Sequence, residues 1–232
     1  MRVHDCNWMQ LEDYLERDDR IVLPLGSTEQ HAYLSLGTDA ILAERVAVEA
    51  AEPLGVPVLP AVPFGITPSF AAFPGSPSLR TETLLTVVRD LLDSLHGQGF
   101  RRILLLNGHG GNAPVRSLAR EWTATHADGQ ALYHEWFGPQ TYAVIRELEP
   151  DGQHASWWEN FPWTRLAGVD LPKEPKPPMD EGAYEVADAR GIRELLVDGS
   201  FGGPYERPQE DLERVWQAAV AEARKRLETG WR

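Results

Sequence analysis

The chain is poor in cysteine: Cys6 alone stands among 232 residues, so no internal disulfide can form. Basic charge is also scarce, with 22 Lys and Arg against 35 Asp and Glu and a formal charge of −13. The longest basic cluster, Arg224-Lys225-Arg226, is flanked by Glu222 and Glu228 and reads as a solvated helix face. Nucleic acid and anionic membranes are thereby excluded as main partners, because both demand clustered Lys and Arg. No apolar run approaches the roughly 18 residues of a membrane span. Met1 to Leu11 lacks the apolar stretch of a signal peptide. A cytoplasmic location is the expectation. No G-x-S-x-G elbow occurs and Cys6 has no convincing His partner, which disfavours nucleophilic Ser or Cys catalysis.

What is present points to one domain over 1–232. The hydrophobic fraction of 42% suffices for a sizeable core. Trp8 to Arg17 has helical spacing of apolar residues, and Arg20 to Leu25 reads as a buried strand. Asp39 reads as the N-cap of a helix running to about Glu52. Val56 to Val62 reads as a second strand interrupted by Pro60, followed by a Pro-, Gly- and Phe-rich loop from Pro63 to Ser78. A helix from Thr81, ended by Gly97 and Gly99, carries the stripe Leu84, Leu85, Val88, Leu91, Leu92 and Leu95. Arg101 to Leu106 is strand-like and apolar on both faces, Asn112 reads as a helix cap, and Gln130 to Trp136 as a strand. Gly138 to Pro178 is irregular in pattern, and Met179 to Arg190 reads as a helix. A last helix spans about Gln209 to Glu228, with Glu210–Arg214 and Glu222–Arg226 as surface i,i+4 pairs. Alternating strands and helices predict an α/β fold with a mostly parallel sheet and helices on both faces. In such folds sites lie beyond the C-terminal ends of the strands.

Two loops that directly follow predicted strands carry chemistry. Gly26-Ser27-Thr28-Glu29-Gln30-His31 places Glu29 and His31 two apart, on one side of an extended loop, with Asp39 at the next helix start. Two carboxylates and an imidazole suit Zn²⁺, Mn²⁺ or Fe²⁺. Taken singly, Asp39 fits an ordinary helix cap and Glu29 an ordinary loop acid; the argument for a site rests on the group. The second loop, Asn107 to Asn112, sets His109 between glycines. It lacks the Lys and Ser/Thr of a phosphate-binding P-loop, so His109 reads as a metal ligand. A third segment, His154 to Glu159, offers a proton shuttle, a further ligand and an aromatic wall in Trp157 and Trp158, although paired Trp also fit plain core packing. Metal-assisted hydrolysis, with Asp39 as candidate bridge between two ions, is the chemistry this set supports.

At Leu25–His31, Leu36–Asp39, Asn107–Asn112 and His154 with Glu159, the sequence resembles the creatininase family (creatinine amidohydrolases and relatives). The resemblance implies a three-layer αβα fold and two divalent metal ions per chain (Zn, Mn or Fe). It also implies hydrolysis of a cyclic amide or formamide-type C–N bond in a small-molecule substrate, and a homo-oligomer, with a hexamer favoured. By position it implies Glu29, His31, Asp39, His109 and Glu159 as metal ligands, His154 as the proton-transfer residue, and Gly110, Gly111, Trp157 and Trp158 around the substrate. The chain departs from the family pattern at Ala32-Tyr33-Leu34, where Gly-Pro-His is usual. It departs at Gly111, where creatininase itself has a glutamate, and at Trp157-Trp158, where small residues are usual. The competing readings are a non-catalytic binding or assembly protein that keeps the fold, a peptide-processing relative in cofactor maturation, and a nucleotide-binding protein.

Overall fold

The computed structural model describes residues 1–231. Apolar residues fill β1 (Arg20–Leu25) and β2 (Arg102–Asn107) because both strands are covered on both faces. With β3 (Gln130–Glu135) they form a parallel sheet in the order β1-β2-β3. Arg20 is level with Arg102, and Leu25 with Asn107. Side chains alternate between two cores. Val22, Leu104 and Leu106 enter one, with residues of α2 (Thr38–Ala51) and α8 (Gln209–Thr229). Ile21, Leu23, Ile103 and Leu105 enter the other, with α3 (Thr81–Gly97) and α4 (Pro114–Thr125). The result is the expected three-layer arrangement, helices–sheet–helices.

Helix stripes follow the sequence pattern closely. Leu84, Val88, Leu92 and Leu95 of α3, and Val115, Leu118, Ala119 and Trp122 of α4, are buried. So are Leu212, Val215, Trp216, Ala219, Ala223 and Leu227 of α8. The short α1 (Trp8–Leu15) begins in a capping box between Asn7 and Gln10.

Several expectations are corrected. Residues 56–62 are not a continuous strand. They touch β1 only through isolated parallel bridges, Val22 to Val58 and Leu25 to Val62, because Pro57 and Pro60 have no N–H to donate. Asp39 lies inside the first turn of α2 and Gly37 takes the cap, which leaves the Asp39 carboxylate free for other partners. Asn112 does not cap α4 either: its amide donates to the Gly26 carbonyl and to Asn107 Oδ1, and its oxygen accepts from Ile66 N. The irregular-looking stretch contains α5 (Pro139–Leu148). The helix expected over Met179–Arg190 is instead α6 (Glu181–Val186) and α7 (Ala189–Leu196), split where Asp188 caps the second.

The charges of α8 also serve the fold. Glu222 accepts from Thr141 N and Oγ1 at the start of α5, where a carboxylate offsets the unpaired N–H groups, so it is not the surface partner of Arg226. Arg214 pairs with Glu147 rather than Glu210. Arg224, expected on a solvated face, donates to the Glu49 and Ala50 carbonyls at the C-terminal end of α2. Among the described residues no helix is long and apolar enough to cross a membrane.

At the opposite edge of the strands the parallel register sets Arg20 beside Arg102, two like charges. Asp18 resolves the conflict: it accepts from Arg20 Nη2 at 2.6 Å and from Arg102 Nη2 at 3.0 Å, while Asp19 pairs with Arg102 Nε. Burial alone would raise the Asp18 pKa, but hydrogen bonds and charge from Arg20 outweigh it and hold the carboxyl below its usual value. A depressed folded-state pKa adds stability above the unfolded value of about 3.9, and that stability is lost as pH falls through the folded value. Asp18→Asn is therefore expected to lower unfolding free energy at pH 7 by about 1–2 kcal/mol. In urea titrations the difference from wild type should shrink as pH falls from the unfolded value through the lower folded one; a difference independent of pH would contradict this role.

Candidate metal centre

The C-terminal ends of β1 and β2 release two loops that can approach each other only because glycine stands at the crossing points. A Cβ on Gly26 would lie 2.4 Å from Ala40 Cα, and one on Gly108 would lie 2.1 Å from the Asp39 carbonyl oxygen. These contacts seat the start of α2 directly against both loops. Glu29, His31 and Asp39 are thereby brought to His109, all four buried. The segment carrying His154 and Glu159 closes over the same point.

The two imidazoles are anchored alike. His109 Nε2 lies 2.8 Å from the Ile66 carbonyl, and His31 Nδ1 lies 3.1 Å from the Glu29 carbonyl. A carbonyl can only accept, so each of these ring nitrogens carries the proton. The other nitrogen of each ring then faces a carboxylate. His31 Nε2 is 3.0 Å from Asp39 Oδ1, and His109 Nδ1 is 3.0 Å from Asp39 Oδ2 and 3.2 Å from Glu29 Oε1. Asp39 thus presents one oxygen to each imidazole. The second contact lacks hydrogen-bond geometry, and Asp39 Oδ2 and Glu29 Oε2 are buried without a hydrogen-bond partner. Glu159 adds a buried carboxylate, one oxygen of which accepts from Ala155 N at 2.7 Å.

Two three-residue sets have ligand atoms within 4.8 Å of one another: Glu29, Asp39 and His109, and His31, Asp39 and Glu159. They share Asp39. A third set, Glu29, His31 and His154, overlaps them. Buried imidazole nitrogens aimed at buried carboxylates, with unpartnered carboxylate oxygens between them, are the donor set a divalent cation of the zinc or manganese type takes. The ionisation of the cluster expresses the same demand for positive charge. Burial opposes a charged His31, but Asp39 outweighs it and lifts the pKa to about 10. Burial likewise opposes a charged His109, but the facing Asp39 and Glu29 carboxylates push its pKa well above the ordinary value. Burial opposes ionisation of Asp39, yet the two imidazoles hold its pKa down. Glu159 is lifted to about 7, mainly by burial. In this form the protons on His31 and His109 supply the charge that bound cations would replace.

His154 differs. Burial, and then the charge of His31, lower its pKa to about 4, so it is neutral at pH 7. Phe70 stacks on its ring at 5.1 Å. Its Nε2 lies 3.0 Å from the side-chain nitrogen of Gln30 and 3.2 Å from the backbone carbonyl oxygen of Gln30. Gln30 is itself fixed, donating to the Gly199 carbonyl and accepting from Ala32 N. Ala32 and Ala155, each directly after a site histidine, have φ of 50° and 57°, the left-handed region that favours glycine. At position 32 an alanine adopts this conformation, with the steric cost of a Cβ that glycine would not carry.

Above the cluster lies a cavity of about 530 Å³ lined by Glu29, Asp39, His109, His154 and Glu159 and by aromatic side chains. Trp158 lines it, as do Gly110 and Gly111. Trp157, expected as part of the substrate wall, does not: it is fully buried beneath Arg207 and belongs to the core. Gly111 has a packing reason to be glycine, because a Cβ there would lie 2.0 Å from the Ile66 carbonyl oxygen that anchors His109. The sequence reading missed Gln30, although it sits inside the first motif. It also missed the aromatic lining from Phe70 and Phe201, of which the Phe-rich loop was the one visible sign.

The family model for creatininase (creatinine amidohydrolase) matches residues 4–227. The creatinine amidohydrolase of Pseudomonas putida is 31% identical over 164 residues, 65% of this chain and 63% of the relative. A mycofactocin precursor peptide peptidase of Mycolicibacterium smegmatis is 35% identical over 106 residues, 43% and 42% of the two chains. A 3-dehydro-scyllo-inosose hydrolase of Thermotoga maritima is 31% identical over 103 residues, 44% and 33%. The matched stretches thus span less than two thirds of the length of these curated relatives. Solved structures align more fully. Creatinine amidohydrolase (creatininase) superposes with a TM-score of 0.77 at 24% identity, covering 99% of this chain and 97% of the other. A structure described as creatininase Mn gives 0.76 at 25% identity, covering 98% of each chain. A Zn-Zn type of a creatininase mutant gives 0.75 at 25% identity, with coverage of 98% and 97%. The chain belongs to the creatininase family.

Gly111→Ala tests the anchoring of His109. The added methyl must displace the Ile66 carbonyl or the imidazole, so Zn²⁺ affinity measured by calorimetry is expected to fall about 10- to 100-fold, the usual cost of losing a ligand's supporting contact. Gly110→Ala, which meets nothing within 4 Å, should bind as wild type does; equal loss in both variants would contradict the assignment.

Proposed function

We propose that the protein is a metal-dependent amidohydrolase that cleaves a non-peptide C–N bond of a cyclic amide or formamide type, using two divalent ions per chain (Zn, Mn or Fe). The observation that carries this reading is the Asp39 carboxylate, whose two oxygens face two imidazoles with a further carboxylate on either side. Glu29, Asp39 and His109 would hold one ion, and His31, Asp39 and Glu159 the other, with Asp39 shared. The creatininase structures in Mn and Zn-Zn forms support the metal class. Divalent ions, when bound, lower the pKa of water and polarise an amide carbonyl.

The protein's own groups then have distinct tasks. His154, neutral and beside the ligand cluster, can take a proton from the attacking water and pass it to the departing nitrogen. Hydrolysis then balances: the acyl carbon gains the hydroxyl, the C–N bond breaks, and the amine leaves with the shuttled proton. Gln30 and the stacked Phe70 fix the imidazole for both transfers. Trp158 offers a flat surface at the cavity wall, and Gly110 leaves room for substrate above His109. A homo-oligomer, a hexamer by family likeness, in the cytoplasm completes the reading; the lone cysteine fits a reducing compartment.

A second reading, peptide processing in cofactor maturation, draws support from the mycofactocin peptidase relatives. Creatinine, cyclic amides, formamides and short peptides assayed side by side separate the two.

Metal analysis tests the main reading. Protein purified without chelator and loaded with Zn²⁺ is expected to hold about two equivalents. His109→Ala should lose at least one of them, and His154→Ala should keep both while losing about 10²–10⁴-fold in turnover of whichever amide is cleaved. Less than half an equivalent in wild type, or equal metal loss in both variants, would overturn it.

A further inference from the structure

The cavity over the ligand cluster is much richer in aromatic surface than a small polar amide requires. Six aromatic side chains line it: Phe70, Phe137, Tyr142, Trp158, Tyr184 and Phe201. Five of them form two packed groups, and Tyr142 stands apart at a half-exposed position. Phe201 touches Phe70 and Tyr184 with ring centres 6.1 and 5.1 Å apart, in the cluster that includes Ile192 and Leu196 of α7. Phe137 meets Trp158 at 5.6 Å, in the core beneath α8. Rings held by neighbouring rings offer flat apolar surface at little further cost in side-chain freedom.

The second observation is the charge of the lining. Its acidic side chains are Glu29, Asp39 and Glu159, and its imidazoles His109 and His154, all within the ligand cluster; among the described residues no Lys or Arg lines the cavity. A carboxylate carried by the substrate beyond the reacting bond would therefore leave water for an aromatic wall with no cation to pair it. Thr67 also lines the cavity, and its buried hydroxyl has no hydrogen-bond partner. A hydroxyl both donates and accepts, so it suits one neutral polar group on the substrate.

We propose that the substrate carries an uncharged aromatic group beside the scissile amide, and that the aromatic walls, which carry no Lys or Arg among the described residues, make this site reject amides whose carboxylate would lie against those walls. This rests on the metal-amidohydrolase reading. Creatinine, small and polar, uses neither wall fully, and a carboxylate carried away from the ligand cluster meets no basic side chain.

Hydroxamates that bind zinc provide the probe. Zn²⁺-loaded wild-type protein, its zinc content measured on the same sample, is titrated calorimetrically with acetohydroxamate, benzohydroxamate and 4-carboxybenzohydroxamate. Benzohydroxamate is expected to bind at least 10-fold tighter than acetohydroxamate, and the added carboxylate to remove at least 10-fold of that gain. Tyr142→Ala, at a half-exposed position that folding tolerates, should weaken benzohydroxamate about 3-fold or more and leave acetohydroxamate unchanged. Equal affinities for the three probes, tighter binding of the carboxylate, or no binding to protein that holds its zinc would overturn the proposal. Protein that retains no zinc overturns the metal reading itself, and the substrate proposal falls with it.

Discussion

Everything at this site depends on one buried carboxylate held between two imidazoles. Asp39 can be there because α2 starts at Thr38, a residue before it, and Gly37 rather than Asp39 takes the cap. Its partners can be there because each ring is tied back through its other nitrogen to a backbone carbonyl, of Glu29 for His31 and of Ile66 for His109. Without those anchors the rings could turn away, and buried carboxylates would be left uncompensated at a cost of several kcal/mol each. The sheet supplies the frame: β1 and β2 are level at Leu25 and Asn107, so their loops leave the sheet side by side.

The fold holds that frame rigid from both faces. Val22, Leu104 and Leu106 lock the strands to α2 and α8, and Ile21, Leu23, Ile103 and Leu105 lock them to α3 and α4. Two of the three non-glycine residues with positive φ among the described residues, Ala32 and Ala155, sit at the site, and each donates its N–H to a site side chain, Gln30 or Glu159. Lys176 ties the proline-rich segment to the carbonyls of Leu196 and Ser200, and so steadies the loop whose Phe201 reaches the cavity and whose Gly199 holds Gln30. The wall of the cavity and His154 are therefore parts of one fastening.

Most of this was legible from residue order where a short-range rule applies. Period and burial placed α3, α4 and α8 and the three strands, since their stripes and double-sided apolar runs have no rival explanation. The cluster Glu29, His31, Asp39, His109 was legible because its members lie in loops that follow strands. What could not be read depends on distant partners. Nothing local shows that Asn112 spends its amide on Gly26 and Asn107, that Glu222 serves α5, or that Arg224 serves α2. Nor does the pair Trp157-Trp158 show which ring faces the cavity; the turn at Trp157–Glu159 sends one into the core and one to the wall. The role of Gln30 is equally invisible, because it joins residues 124 and 169 positions away.

The whole cluster turns on Asp39 as a shared ligand. Crystals of the Zn²⁺-loaded protein, measured on both sides of the zinc absorption edge, test it directly. The expected anomalous difference map shows two peaks about 3.5–4 Å apart, one toward each oxygen of Asp39, the first beside Glu29 and His109 and the second beside His31 and Glu159. A single peak, or peaks that leave Asp39 without contact, would contradict the account.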